Sequence, residues 1–286
     1  MEKKGDNMQS CDIQKLKRIE LDMLKVFVLT CEKLGLKYYL LGGTLLGAVR
    51  HQGFIPWDDD IDVGMPREDY DRFEKEAQKY LPDYYFIQTR NTDQELLNNF
   101  MKIRDSRTTF IETSVKNQKI NHGVYLDVFP LDYYPESSWE QKIFDIKNQV
   151  LKLRIRDAFT LPDKSKHAAH IEFALNIASK LLTLVYPDVK SALDKQNKLF
   201  TEATQSRILA NYCGAWGKKE IMPAEWYGKG KCIEFEGIQV KAPKEYEKWL
   251  TQVYGDYLKL PPVEKRITHH FTELIDLEKP YTEYVK

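Results

Sequence analysis

Ile13, Leu16, Ile19, Met23, Phe27, Thr30 and Leu34 recur at three- and four-residue steps. That spacing predicts one buried helical face over 12–34, and Gly35 stands where a left-handed C-terminal cap belongs. The run LKYYLL at 36–41 predicts a short buried strand that leads into Gly42-Gly43, with a helix over 44–51. A strand is predicted within 54–65, and Pro66 opens an acidic helix over 67–80. Strand-like pieces follow at 84–88, 100–104, 108–112 and 124–129, with Asp105-Ser106-Arg107 as the turn between the second and third. From 137 to 207 the spacing becomes helical, punctuated by Pro162 and Pro187. A late hairpin is predicted from 232–235 and 238–241 around Glu236-Gly237, and a helix over 244–254 ends at Gly255. Strands and helices mix without a regular βαβ rhythm, which predicts an α+β fold. Its catalytic core is placed at 1–136. The region 137–286 adds helices, the hairpin and the last helix.

The chain has 286 residues, 30% of them charged and 42% hydrophobic, enough for a sizeable core in one or two domains. Its 43 basic residues balance 43 acidic ones, which excludes an overall polycation and argues against a nucleic-acid partner. The balance is not local. Between 58 and 76, nine acids face Arg67, Arg72 and Lys75 alone. Four scattered cysteines form neither a metal-ligand spacing nor a disulfide framework. The start MEKKGDNMQS lacks the apolar core of a signal peptide, and a cytoplasmic location is expected. The greasiest run, 171–185, is interrupted by Glu172, Asn176 and Lys180 and falls short of the ~20 apolar residues that span a bilayer. The stretch 147–156 (KNQVLKLRIR) carries Lys147, Lys152, Arg154 and Arg156 without an acid. It reads as an ordinary surface helix or as one that touches the inner face of an anionic membrane.

The densest chemistry lies in GGTLLGAVRHQGFIPWDDDIDV, residues 42–63. On a strand, Asp60 and Asp62 share a face while Ile61 and Val63 point into the core. Two adjacent carboxylates repel unless a cation holds both. A hard divalent ion does so, and Mg²⁺ is the usual one where substrate phosphates complete the octahedron, with Mn²⁺ as the alternative. Gly42 and Gly47 have P-loop spacing, but Ala48-Val49 stand where Lys and a hydroxyl are needed. An EF-hand loop starting at Asp58 would put Val63 at the obligatory glycine. What survives is a Gly-Gly turn before a helix, suited to phosphate approach, followed by a strand with Asp-x-Asp.

This pairing resembles the nucleotidyltransferase superfamily, and within it the LicD family, which includes the fukutin-related proteins. GGTLLGAVR and HQGFIPWDDDIDVGMPREDY carry the resemblance, with later blocks at 101–112, 123–132 and 254–270. It implies a nucleotidyltransferase-like mixed sheet flanked by helices. It further implies transfer of a phosphorylated small alcohol, such as phosphocholine or ribitol phosphate, from a CDP-activated donor. The acceptor would be a hydroxyl of a glycan, a lipid-linked glycan or a teichoic-acid precursor. Asp60 and Asp62 would be metal ligands, and a third carboxylate from a later strand would be Asp127, with Asp132 as competitor. Asp127 is also the candidate general base, and Asp58 would orient the metal shell. Gly42, Gly43, Thr44, Arg50 and Lys102 would meet donor phosphate. Arg104, Arg266, His269 and His270 are further candidate substrate contacts. Two other readings are nucleotidyl transfer onto a small hydroxylated acceptor and a non-catalytic nucleotide- or glycan-binding relative.

Overall fold

The computed structural model describes residues 10–156, 159, 169–267 and 271–285. Helix α1 (Ser10–Leu34) buries Leu16, Met23, Leu24 and Phe27, and stops at Gly35, where φ is +65°. Of the strand expected at 36–41, only β1 (Tyr39–Leu40) pairs. Helix α2 (Gly42–His51) begins at the glycine pair itself. Strand β2 (Asp62–Pro66) is shorter than expected. A turn closed by the Asp58 N–H on Ile55 O (3.0 Å) occupies the residues before it, so Asp60 stands ahead of the strand.

Helix α3 (Arg67–Glu76) follows Pro66, and β3 (Tyr85–Gln88), β4 (Met101–Asp105) and β5 (Thr109–Glu112) match the predicted pieces. Strand β6 (Val124–Tyr133) runs through Pro130, which lies in register with Met65, so Asp132 belongs to the same strand as Asp127. Three helices come next, α4 (Ser138–Ile155), α5 (Ala169–Leu182) and α6 (Val189–Thr201). Short strands β7 (Ile208–Ala210) and β8 (Ile221–Pro223) precede the hairpin β9 (Lys231–Phe235) and β10 (Ile238–Ala242). Helix α7 (Tyr246–Tyr254) and β11 (Thr272–Asp276) complete the chain order.

The main sheet is ordered β1-β2-β6-β4-β3, with β7 joining β6 and β8 joining β7. Strands β2 and β6 are parallel and every other pair is antiparallel, which makes the sheet mixed. The turn at Asp105-Ser106-Arg107 does not create a hairpin, because β5 pairs with β11 instead of β4. One apolar core gathers Leu16, Phe27, Val63 and Leu126 together with Phe235, Trp249 and Leu250, so it draws on both sides of position 136. Helices α4 and α6 bury smaller clusters around Phe144, Phe200 and Tyr212, and around Leu151 and Leu193. Among the described residues no helix is long and apolar enough to cross a membrane.

Candidate active site

Strand register assembles the centre of the site. Asp62 on β2 lies opposite Asp127 on β6, and Asp127 lies opposite Lys102 on β4. Cross-strand partners project to the same face, so two acids and a lysine form one row. Lys102 is buried, with Nζ 2.9 Å from Asp127 Oδ1, 3.5 Å from Glu112 and 3.4 Å from the centre of the Tyr125 ring. Burial raises the Asp127 carboxyl above the usual range, Glu112 adds to the rise, and the neighbouring Lys102 opposes it.

The glycine pair packs against the acids. A Cβ on Gly42 would lie 2.7 Å from Asp62 Oδ2, and one on Gly43 would collide with the Asp58 carboxylate. Gly42 also has φ +51°, a conformation that side chains disfavour. Thr44 is buried and its hydroxyl accepts the Asp62 N–H at 2.8 Å. These residues therefore set the carboxylates in place, whatever else the glycines admit. From α1, Lys17 donates to Ile55 O (2.9 Å) and Pro56 O (3.1 Å), which ties down the approach to the acidic run. Glu20, buried one turn on, has its carboxyl pushed well up by desolvation and then by Asp60, Asp59 and Asp58.

Among the described residues, two cavities open on these acids. The smaller, about 230 Å³, is lined by Gly42, Asp60, Asp62, Phe100, Asp127 and Phe129, and by Asn211, residues 213–216 and Glu220. The larger, about 850 Å³, is lined by Gly43, Arg50, Trp57, Asp58, Asp60 and Asp62 on one side. Tyr254, Tyr257, Lys259 and Lys265 lie on the other, and Ala215 and Trp216 border both cavities. Glu220 holds that dividing loop. Its Oε1 accepts the Trp216 N–H at 3.0 Å and its Oε2 accepts the Asn211 amide at 2.8 Å. Asn211 Oδ1 in turn accepts the N–H groups of Cys213 (3.2 Å) and Gly214 (2.9 Å). A Cβ on Gly214 would collide with the Glu220 carboxylate, so only glycine lets the loop close this tightly.

The donor set suits a hard divalent cation. Asp60, Asp62 and Asp127 offer oxygen alone into one cavity, where the Lys102 ammonium already sits 2.9 Å from Asp127 Oδ1 and 3.2 Å from its Oδ2. Oxygen atoms of Asp58, Asp59 and Asp60 also lie within 4.8 Å of one another.

Other expected residues fall elsewhere. Both oxygens of the buried Asp132 accept from Arg67 at 2.7 Å, and it lines neither cavity. Arg104 is fully buried and donates to Gln88 (2.8 Å) and Gly123 O (2.8 Å), so it braces the sheet. Arg50 lines the larger cavity and donates to Tyr257 O at 3.0 Å. Arg266 bonds Pro261 O at 2.9 Å and stands 5.5 Å from the Trp57 ring. His269 and His270 lie outside the described residues.

Sequence reasoning passed over Lys17, Glu20, Asn211, Glu220, Tyr254, Tyr257, Lys259 and Lys265. Lys17 and Glu20 carried a signal, being charged residues beside the apolar stripe of α1. The residues at 254–265 lie inside a block already singled out at 254–270. Asn211 and Glu220 carried none, because their meaning depends on a loop closing on itself.

Residues 35–172 match the family described as LicD/FKTN/FKRP, nucleotidyltransferase domain. The chain is 32% identical over 275 residues to the lipopolysaccharide cholinephosphotransferase LicD of Haemophilus influenzae, covering 93% of this chain and 98% of that protein. The chain belongs to the LicD family. An uncharacterized protein of Rickettsia prowazekii is 27% identical over 174 residues, 55% of this chain and 62% of that protein. The human ribitol 5-phosphate transferase FKRP is 55% identical over 38 residues, 13% of this LicD-family chain and 8% of its own length.

Proposed function

We propose that this LicD-family chain is a Mg²⁺-dependent phosphotransferase that moves a phosphorylated small alcohol from a CDP-activated donor to a hydroxyl of a cell-surface glycan. The observation that carries this reading is the row of Asp62, Asp127 and Lys102, with Asp60 entering the same cavity. Asp60, Asp62 and Asp127 would hold the cation, which when bound neutralises charge on the phosphate oxygens. Arg50, Lys259 and Lys265 bring cationic groups for the donor's pyrophosphate into the larger cavity, across from Asp58, Asp60, Asp62 and Asp256 and beside the aromatic walls of Trp57, Trp216, Tyr254 and Tyr257. The acceptor oxygen forms the new P–O bond as the bond to CMP breaks. Asp127, its carboxyl raised by burial, is the candidate for receiving the acceptor's proton. The regions 1–136 and 137–286 would cooperate, the first supplying the acids and the second the walls for donor and acceptor.

The test is to incubate purified protein with Mg²⁺ and a panel of CDP-alcohols, with and without a glycan acceptor. Acceptor-dependent CMP release with one donor is expected. Pyrophosphate release from a nucleoside triphosphate, with a nucleotidylated product, would instead establish nucleotidyl transfer.

A further inference from the structure

Helix α4 buries Phe144, Asn148, Leu151 and Ile155 against the rest of the protein. On the opposite side Trp139, Ile143, Ile146 and Val150 are 69%, 36%, 64% and 37% exposed. At the helical repeat these four fall within an arc of about 60°, so they make one continuous apolar stripe in water. Helix α5 packs against α4. Its Ile177 and Leu181 are 45% and 61% exposed, and Leu184, just past its last turn, is 84% exposed. Two adjacent helices therefore present large apolar side chains at the spacing that elsewhere in the chain builds core.

Exposed lysines border these stripes, and the acids that share the groove beside Ile143 and Lys147 are Glu202, which pairs with Lys198, Glu136, which accepts the Arg207 N–H, and Glu140. Lys142 and Lys147 flank the stripe of α4, and Lys180 flanks that of α5, all exposed. Of the acids on α4, Asp145 is already paired with Lys218, which leaves Glu140 beside Trp139. The basic run at 147–156 does not act as a unit, because Arg154 is buried and donates to Tyr186 O and Pro187 O. The contact surface is thus the stripe and its flanking lysines, not the run. A twofold contact with a second copy would set this patch against itself, lysine against lysine. An anionic lipid surface meets both features at once, with acyl chains for the stripe and phosphates for the lysines. Tryptophan at one end of the stripe suits the headgroup boundary.

We propose that α4 and α5 form a docking face for an anionic phospholipid surface. The apolar stripes enter the headgroup–acyl boundary, and Lys142, Lys147 and Lys180 meet lipid phosphates. This inference does not depend on the reaction proposed above. It is tested by floating the full chain with vesicles of equal parts phosphatidylglycerol and phosphatidylcholine, and with phosphatidylcholine alone. Co-flotation with the anionic vesicles is expected. The pair Ile146→Glu and Leu184→Glu should weaken it by about tenfold or more, as should the pair Lys142→Glu and Lys147→Glu. Circular dichroism melting should be unchanged in both, since all four side chains are exposed. Absence of flotation, equal flotation with neutral vesicles, or flotation unaffected by either pair would overturn the proposal. So would a wild-type dimer in sedimentation that the same substitutions dissociate.

Discussion

Asp60 and Asp62 differ in how they are held. Asp62 sits on a strand with its N–H on Thr44, while Asp60 lies in the irregular segment ahead of it. Replacing either with Asn keeps the shape and removes a negative charge. Asp60→Asn or Asp62→Asn should lower CMP release by about a hundredfold or more with the melting temperature essentially kept. Full activity in either would eliminate the metal assignment. Gly42 makes a sharper test, because its φ is +51° and an added Cβ would lie 2.7 Å from Asp62 Oδ2. Gly42→Ala should cost about 1–2 kcal/mol of stability in urea unfolding, yet reduce activity far more than that loss explains. Each of these residues was legible in the sequence because motif and chemistry coincide within one short segment. The glycines were read there as admitting phosphate, and the structure adds that they also make room for the Asp62 and Asp58 carboxylates.

At the scale of elements, the loop from β7 to β8 separates the two cavities and rests on one buried carboxylate. Burial raises Glu220 from 4.5 to about 7, against the Trp216 N–H, the Asn211 amide and the charge of Lys152, all of which favour the ionised form. The folded protein therefore keeps the Glu220 proton between pH 4.5 and about 7, where the unfolded chain has released it. Stability contributed by this group falls as pH rises through that window and is level above it, a change of about 3 kcal/mol. Glu220→Gln should flatten that slope in denaturant titrations from acid to neutral pH. A slope left unchanged would assign it to another group. The Gln amide would also point a donor at the Asn211 donor, loosening the loop and raising KM. Adding Asn211→Asp restores donor to acceptor, so the double variant should recover KM where a simple loss of packing would not. None of this was visible in sequence, where β7 and β8 are three residues each and have no period to detect.

At the scale of the whole molecule, the core joins the glycine-acid module to the C-terminal hairpin and helix. Trp249 is fully buried in the cluster that also holds Val63 and Leu126. Trp249→Ala should cost about 3–5 kcal/mol and lower one common transition, seen alike by circular dichroism and fluorescence. Two separate transitions would show that the two regions fold apart. Local pattern determined much of this protein: the long first helix and its glycine stop, the acidic helix after Pro66, the late hairpin, and the acids with their glycine turn. Those features depend on spacing and backbone preference within a few residues, which any stretch of chain carries with it. Tertiary structure alone decided that Asp127 stands beside Asp62, that Lys102 is spent on Asp127, and that Arg67 takes Asp132. It also decided that β5 leaves β4 for β11, and that the 211–220 loop divides the cavity. Partners so far apart in the chain are chosen by strand register and burial, which are properties of the packed whole and leave no period in the sequence.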